Sequence, residues 1–372
     1  MKKLLLIVPS LHQGGFEKVC VATARLLQPY FQVQIAIFDS KDIAYDIKGI
    51  PVMDLHLPSA TGKFAKICNV LKRGIRLNRL KKEENIDIAY SFGPTANIAN
   101  IASFGKAEKW LGIRSYMDME NPKQIRLFCH FADKVICCSE VIRREIEGRY
   151  GCRDAVTLHN PFDLEEVALL SERENAELPW AQGRILVSMG REDTVKGFWH
   201  LIKSFSLVHG KLPDTRLLII GQGEYTAYRK LVDALGIDDA VYFTGLRKNP
   251  YPYLKKCALY VLTSYHEGFP NAMVEAMALG MPVIATDCMT GPREILEEQY
   301  GILVPNMEPT EDFAPENITG EEIALADRII ALLENEEEMA HYQEMSKKRA
   351  GDFTTEKYIA NIRAWAEEKG SC

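Results

Sequence analysis

The chain of 372 residues contains no CxxC pair, although it holds nine cysteines, at positions 20, 68, 129, 137, 138, 152, 257, 288 and 372. None stands at metal-ligand spacing from a histidine, and several lie in apolar contexts such as KVICCS. This argues against a disulfide framework or a zinc ribbon, and the thiols read as core residues of a reduced, cytoplasmic protein. No apolar run approaches the ~18–20 residues that a bilayer-crossing helix needs. The opening MKKLLLIVPS stops its apolar run at Pro9, short for a signal peptide, and reads as a first strand. Internal repeats and low-complexity segments are also lacking. At 47% hydrophobic and 26% charged, the composition is that of a globular protein, and the length favours two domains.

Charge is unevenly spread. Residues 1–160 hold 24 Lys and Arg against 16 Asp and Glu, and the remainder 21 against 35. Such a split suggests two bodies, with the basic one facing something anionic. The segment 63–82, KFAKICNVLKRGIRLNRLKK, concentrates eight cations without one acid. Phe64, Ile67, Leu71 and Ile75 recur in it at helical spacing. Two compatible uses follow: docking on an anionic membrane surface, or packing of that stripe on the helix's own sheet with the basic face in water.

Short apolar runs alternate with helical patterns throughout. Strands are expected at 3–9, 32–38, 86–91, 111–116, 134–138 and 155–158, then at 184–189, 215–220, 240–244, 258–263, 282–286 and 301–304. Helices are expected at 15–28, 63–83, 95–104 and 139–149, then near 196–209, 224–235, 271–280, 320–334 and 336–350. This alternation predicts an α/β chain of two doubly wound parallel-sheet domains, 1–160 and 161–352. An amphipathic helix within 353–372 follows and can return to the first domain. Open α/β sheets bind ligands at the carboxyl ends of their strands. Four loops qualify: Gly14-Gly15, Gly190-Arg191 to Lys196-Gly197, Gly221-Gln222-Gly223, and Glu267 to Asn271.

The last of these is the most informative. In HEGFPNAMVEAMALGMPVIATD, Glu267 and Glu275 are separated by seven residues, across a Gly268-Phe269-Pro270-Asn271 break that opens a helix. A helix start offers unbonded N–H groups and a positive dipole end, which suit an anion. Carboxylates on either side would repel that anion, and are better placed to accept hydrogen bonds from hydroxyls attached to it. A phosphate with hydroxyls on both sides describes a nucleotide sugar. In SMGREDTVKGFWHLIKSF, Arg191 and Lys196 follow a strand and Gly190, and read either as diphosphate ligands or as solvated surface cations. Gly14-Gly15 and the Gly221 turn allow close ligand approach or are plain turns, and GxGE at 221–224 falls short of a dinucleotide fingerprint.

Taken together, SMGREDTVKGFWHLIKSF, LLIIGQGE, VYFTG, SYHEGFPNAMVEAMALGMPVIATD and TGPREIL resemble the retaining GT-B glycosyltransferases of glycosyltransferase family 4 (group 1 glycosyl transferases). The resemblance implies two Rossmann-like domains facing across a cleft, an acceptor-side first and a donor-binding second. It implies that Arg191 and Lys196 neutralise the departing diphosphate, that Glu275 accepts from the ribose hydroxyls, and that Glu267 touches the donor sugar. The backbone around Gly268, Phe269 and Asn271 would hold sugar and phosphate. Thr244-Gly245-Leu246 would lie near the base, Gly190 and Gly221 would line the donor loops, and Gly15 would approach the diphosphate. No cofactor and no metal are implied, since Asp-x-Asp is absent and its nearest approximation is Asp118-Met119-Glu120. The histidine that many relatives carry after the strand matching 111–116 is missing from GIRSYMDMENPK.

The expected activity is transfer of a hexose or N-acetylhexosamine from a UDP-sugar to a glycan acceptor, a lipid-linked intermediate of surface polysaccharide. The work would be done in the cytoplasm, at the inner face of the membrane, with no nucleic-acid partner. The rival readings are a sugar-nucleotide epimerase of the same architecture and a non-catalytic sugar-nucleotide-binding protein.

Overall fold

The computed structural model describes residues 1–12, 14–59, 61–173 and 176–368. The end of the segment 353–372, with Cys372, lies outside the described residues. Contacts divide the chain into two units: Met1–Pro161 with the segment from Thr355 onward, and Phe162–Thr354.

The first unit runs β1 (Lys3–Val8), α1 (Gly15–Leu27), β2 (Gln32–Ile37), β3 (Val52–Asp54), α2 (Lys63–Glu83), β4 (Ile88–Phe92), α3 (Pro94–Ala102), β5 (Glu108–Ile113), α4 (Pro122–Phe131), β6 (Lys134–Cys137), α5 (Glu140–Tyr150) and β7 (Ala155–Thr157). All seven strands are parallel, in the order β3-β2-β1-β4-β5-β6-β7. Helices cover both faces, so the central strands are buried on both sides and read as continuous apolar runs. Leu4 to Val8 and Ile88 to Phe92 are buried throughout.

The second unit runs α6 (Leu164–Glu172), β8 (Arg184–Met189), α7 (Phe198–Lys211), β9 (Thr215–Ile220), α8 (Thr226–Ala234), β10 (Val241–Gly245), α9 (Tyr251–Leu254), β11 (Leu259–Leu262), α10 (Asn271–Ala278), β12 (Val283–Thr286), α11 (Pro292–Leu296), β13 (Ile302–Val304), α12 (Gly320–Leu333) and α13 (Glu336–Ala350). Its six parallel strands lie in the order β10-β9-β8-β11-β12-β13. Numbered within the unit this is 3-2-1-4-5-6, the doubly wound order, whose direction reverses between β8 and β11. The final helix, α14 (Thr355–Glu367), belongs to the first unit. Tyr358, Ile362 and Ala366 enter its core, and the hydroxyls of Tyr358 and Thr23 on α1 share a hydrogen bond of 2.6 Å.

Several elements differ from the sequence expectation for local reasons. The strand expected at 111–116 ends at Ile113, because the Asp118 carboxylate accepts from the N–H groups of Arg114 (3.0 Å) and Ser115 (3.2 Å) and starts a 3-10 turn over Tyr116–Glu120. The helix expected from 196 begins at Phe198. Asp193 caps a short 3-10 turn, Thr194–Lys196, and Gly197 then adopts left-handed geometry at φ +59°. A Cβ at Gly197 would stand 2.5 Å from the Thr263 carbonyl oxygen, so this break needs glycine.

The larger correction concerns α2. Phe64, Ile67, Leu71 and Ile75 do not pack on the sheet: they are 80%, 61%, 58% and 69% exposed. The opposite face docks instead. Leu77 and Leu80 enter the core, and a Cβ at Gly74 would meet Ala102 of α3 at 2.8 Å. Buried Lys81 donates to Asn100 Oδ1 and Ser103 Oγ, each at 2.6 Å, and burial lowers its pKa to about 7. The sequence stripe was the more apolar face, but close approach to α3 requires the glycine face.

One buried polar contact ties α7 to α12. His200 Nδ1 lies 2.7 Å from Glu322 Oε1, with the two side chains 3% and 0% exposed. Glu322 Oε2 accepts from Thr319 N at 2.8 Å, completing a capping box. Glu322→Ala removes the side-chain half of the capping box and leaves His200 with only its bond to the Glu308 carbonyl (2.9 Å), so urea unfolding should show a loss of about 2–3 kcal/mol. A loss below about 1 kcal/mol would mean that the contact does not hold these helices together.

Candidate active site

The candidate residues of the second unit gather at the carboxyl edge of its sheet, on the loops after β8, β9, β10 and β11. This edge includes the point between β8 and β11 where strand order reverses, and where adjoining loops diverge to leave a crevice.

The loops after β8, β9 and β10 are laced by main-chain bonds. Gly190 N donates to Ile220 O (2.9 Å), Gly221 N to Gly245 O (3.1 Å) and Glu192 N to Gln222 O (2.8 Å). A Cβ at Gly221 would fall 1.7 Å from Gly190 O, so these two loops touch only because the residue is glycine. Glu192 then accepts from the N–H groups of Glu224 (2.7 Å) and Tyr225 (2.9 Å). It was absent from the sequence candidates. An acid beside Arg191 was visible, but not that its partners lie 32 and 33 residues further on.

Lys196 ends the turn that Asp193 caps. Its carbonyl accepts from Thr263 Oγ1 at 2.9 Å, and its alkyl stem lies over Gly190. Its Nζ donates to Glu267 Oε1 at 2.7 Å, with the side chains 26% and 10% exposed. The contact joins the loop after β8 to the loop after β11. Arg191 points more freely into solvent, 62% exposed and 3.7 Å from Asp193.

The loop after β12 supports Glu267 from the other side. Thr290 Oγ1 donates to the Glu267 carbonyl. Gly291, at φ +89°, would press a Cβ to 2.6 Å from Pro270 Cδ and 3.6 Å from Glu267 Cβ. Thr290 and Gly291 stood in TGPREIL without an assigned role. Phe269 buries its ring against Phe162 and Phe353, at centroid distances of 6.2 and 5.3 Å, which leaves its backbone as the part available to a ligand. Asn271 opens α10, and Glu275 lies inside that helix, 4% exposed.

Buried Tyr260 on β11 has its pKa driven up first by burial, then by the charges of Glu267 and Glu275. Both carboxylates therefore act on one spot beneath the loop. Burial and Glu267 also raise the Cys288 thiol to about 12. Gly245 closes β10 at φ +69°, after a register shift at Thr244, and Leu246 beyond it is 47% exposed. Gly268, between Glu267 and Phe269, is buried. Gly15 belongs to the first unit, at the start of α1 on the carboxyl side of β1; the neighbouring Gly14 bonds through both its N–H and its carbonyl to the Tyr45 hydroxyl, at 2.9 and 2.6 Å.

The assembled edge offers two cations, two carboxylates, the amino end of α10 and glycine-lined backbone. These suit a phosphate ester that also bears hydroxyls.

Comparison with known proteins finds glycosyltransferases. A family model described as Glycosyl transferases group 1 matches residues 171–349. By sequence the chain is similar to an uncharacterized glycosyltransferase of Methanocaldococcus jannaschii, 29% identical over 332 residues, covering 78% of this chain and 81% of the relative. It is also similar to the N-acetylgalactosamine-N,N'-diacetylbacillosaminyl-diphospho-undecaprenol 4-alpha-N-acetylgalactosaminyltransferase of Campylobacter jejuni, 24% identical, covering 82% and 86%. In fold it resembles Anabaena HepE, solved in complex with UDP and glucose, with a TM-score of 0.78 at 20% identity over 98% of this chain and 99% of that one. Residues 171–349 thus match the group 1 glycosyl transferase model, and the chain has the α/β architecture of the GT-B glycosyltransferases.

Proposed function

We propose that the chain is a retaining, metal-independent family 4 glycosyltransferase. It moves a hexose or N-acetylhexosamine from a UDP-sugar to a lipid-linked glycan during surface polysaccharide synthesis, at the cytoplasmic face of the membrane. The observation that carries this reading is the Lys196–Glu267 contact at the strand-order reversal, beside the glycine-laced loops. The name of the Campylobacter relative specifies a diphospho-undecaprenol acceptor, and the HepE structure holds UDP and glucose, which supports this choice of substrate classes.

In this reading the second unit binds the donor and the first reads the acceptor. Glu275 accepts hydrogen bonds from the ribose hydroxyls, and Glu267 from a hydroxyl of the donor sugar. Arg191 and Lys196 stabilise the charge that builds on the diphosphate as the bond from sugar C1 to phosphate oxygen breaks. The acceptor oxygen bonds C1 on the face the phosphate leaves, and its proton passes to a phosphate oxygen. Configuration is kept without a strong protein base, and the two cations supply the neutralisation a divalent ion could otherwise provide.

Acceptor-dependent release of UDP tests the reading directly. Acceptor-free isomerisation of the donor would mean an epimerase, and binding without turnover a sugar-nucleotide-binding protein. Arg191→Ala and Lys196→Ala should each lower kcat by about 10²-fold with donor and acceptor saturating. Normal turnover in either variant would remove that residue from the leaving-group role.

Glu275→Gln should act differently. Losing the ribose contact raises the donor KM by about tenfold while leaving kcat near the parent value. A fall in kcat at unchanged KM would place Glu275 in the chemical step instead. Thermal stabilisation across a panel of UDP-sugars would identify the donor, because a ligand at about 100 times its Kd adds about 2.7 kcal/mol.

A further inference from the structure

The exposed apolar face of α2 has no place in the donor chemistry. Phe64, Ile67, Leu71 and Ile75 follow one side of the helix for about 17 Å at 1.5 Å per residue. All four are more than half exposed. Phe104 adds to them: it is 76% exposed, and its neighbour Gly105 would place a Cβ 3.3 Å from Asn78 Oδ1 on the same helix. A contiguous patch of large apolar side chains in water marks a surface that something covers.

The charge around the patch selects the occupant. Lys72, Arg79 and Lys82 are exposed and lie within about 100° of the centre of the stripe at 3.6 residues per turn. Lys66 and Arg76 lie further round the helix, where Arg76 donates to the Leu55 carbonyl, and exposed Lys106 stands two residues beyond Phe104. Within α2 the first acid is Glu83, and it is bonded to Arg79 at 2.7 Å. Arg73 and Lys81 are buried and contribute nothing to this face. No helix among the described residues is long and apolar enough to cross a bilayer. We infer that α2 lies in the plane of an anionic lipid surface, its apolar stripe among the acyl chains and its cations among the headgroups. A second protein copy is the poorer occupant, since pairing this face with itself would bring like charges together.

The inference goes beyond the transferase reading, and its test needs neither donor nor acceptor. The full chain should co-sediment with vesicles of phosphatidylcholine and phosphatidylglycerol, weakly with phosphatidylcholine alone, and less as salt rises. Leu71→Ser with Ile75→Ser should reduce partitioning by at least about tenfold. The triple change Lys72→Gln, Arg79→Gln and Lys82→Gln should do so only on anionic vesicles. Unaltered circular dichroism would show that both variants fold. Parent-like vesicle binding by the stripe variant overturns the inference. So does a dimer in light scattering that the stripe variant converts to monomer while the parent ignores vesicles.

Discussion

The donor edge of the second unit turns on the contact between Lys196 Nζ and Glu267 Oε1. The two residues are 71 positions apart and meet at 2.7 Å because β8 and β11 are neighbours in the sheet. At 26% and 10% exposure, neither charge is fully hydrated, so each depends on the other for part of what water would supply. A lysine ammonium has three protons, and one goes to Glu267. Two are left for an incoming phosphate, which can bind without breaking the pair. Glu267, with one oxygen engaged, retains lone pairs for a sugar hydroxyl.

Everything near that contact restricts its movement. Asp193 caps the turn that ends at Lys196, Gly197 sets the start of α7, and the His200–Glu322 contact fastens α7 to α12. On the other side, Thr290 holds the carbonyl of Glu267 and Gly291 lets the two loops close. Glu192 clamps the third loop through two backbone donors. Electrostatic stabilisation is effective when charges are already oriented, because reorienting them during reaction costs part of the gain. A lattice of short local bonds around Lys196 and Glu267 is how a loop-built site achieves that.

Much of this could be read from the residues because the relevant signals are local. Gly268 and Pro270 break the chain before Asn271, so the start of α10 and the positions of both glutamates relative to it follow from sequence neighbours. Strand and helix alternation likewise anticipated the parallel sheets, although β3, α4, α6, α9 and α11 have no counterpart in it. What escaped depends on distant partners. Nothing near Glu192 announces that it will meet Glu224 and Tyr225, and nothing near Thr290 announces the carbonyl of residue 267. Of the two uses offered for the α2 stripe, packing on the sheet fails for a related reason. Hydrophobicity names the stripe that prefers to leave water, whereas steric fit to α3 at Gly74 decides which face can approach the rest of the unit.

The charge split between the two halves then needs reconciling with the chemistry, since an acidic half is proposed to bind a diphosphate. From residue 161 onward, acids outnumber cations 35 to 21. Net charge acts at long range, and in physiological salt charges beyond ~8 Å are largely screened. A cation about 4 Å from a phosphate, at an effective dielectric near 20, contributes about 4 kcal/mol. In the proposed site Arg191, Lys196 and the amino end of α10 would act at that short range, while acids such as Glu336, Glu337 and Glu338 sit at the start of α13, in another part of the unit. Local cations therefore outweigh the global sign. On α2 the balance is the reverse, since in the proposed docking Lys72, Arg79 and Lys82 would meet an extended surface and not a point. There each charge gains only weakly, the sum matters, and a shell of apolar side chains is needed to convert attraction into residence.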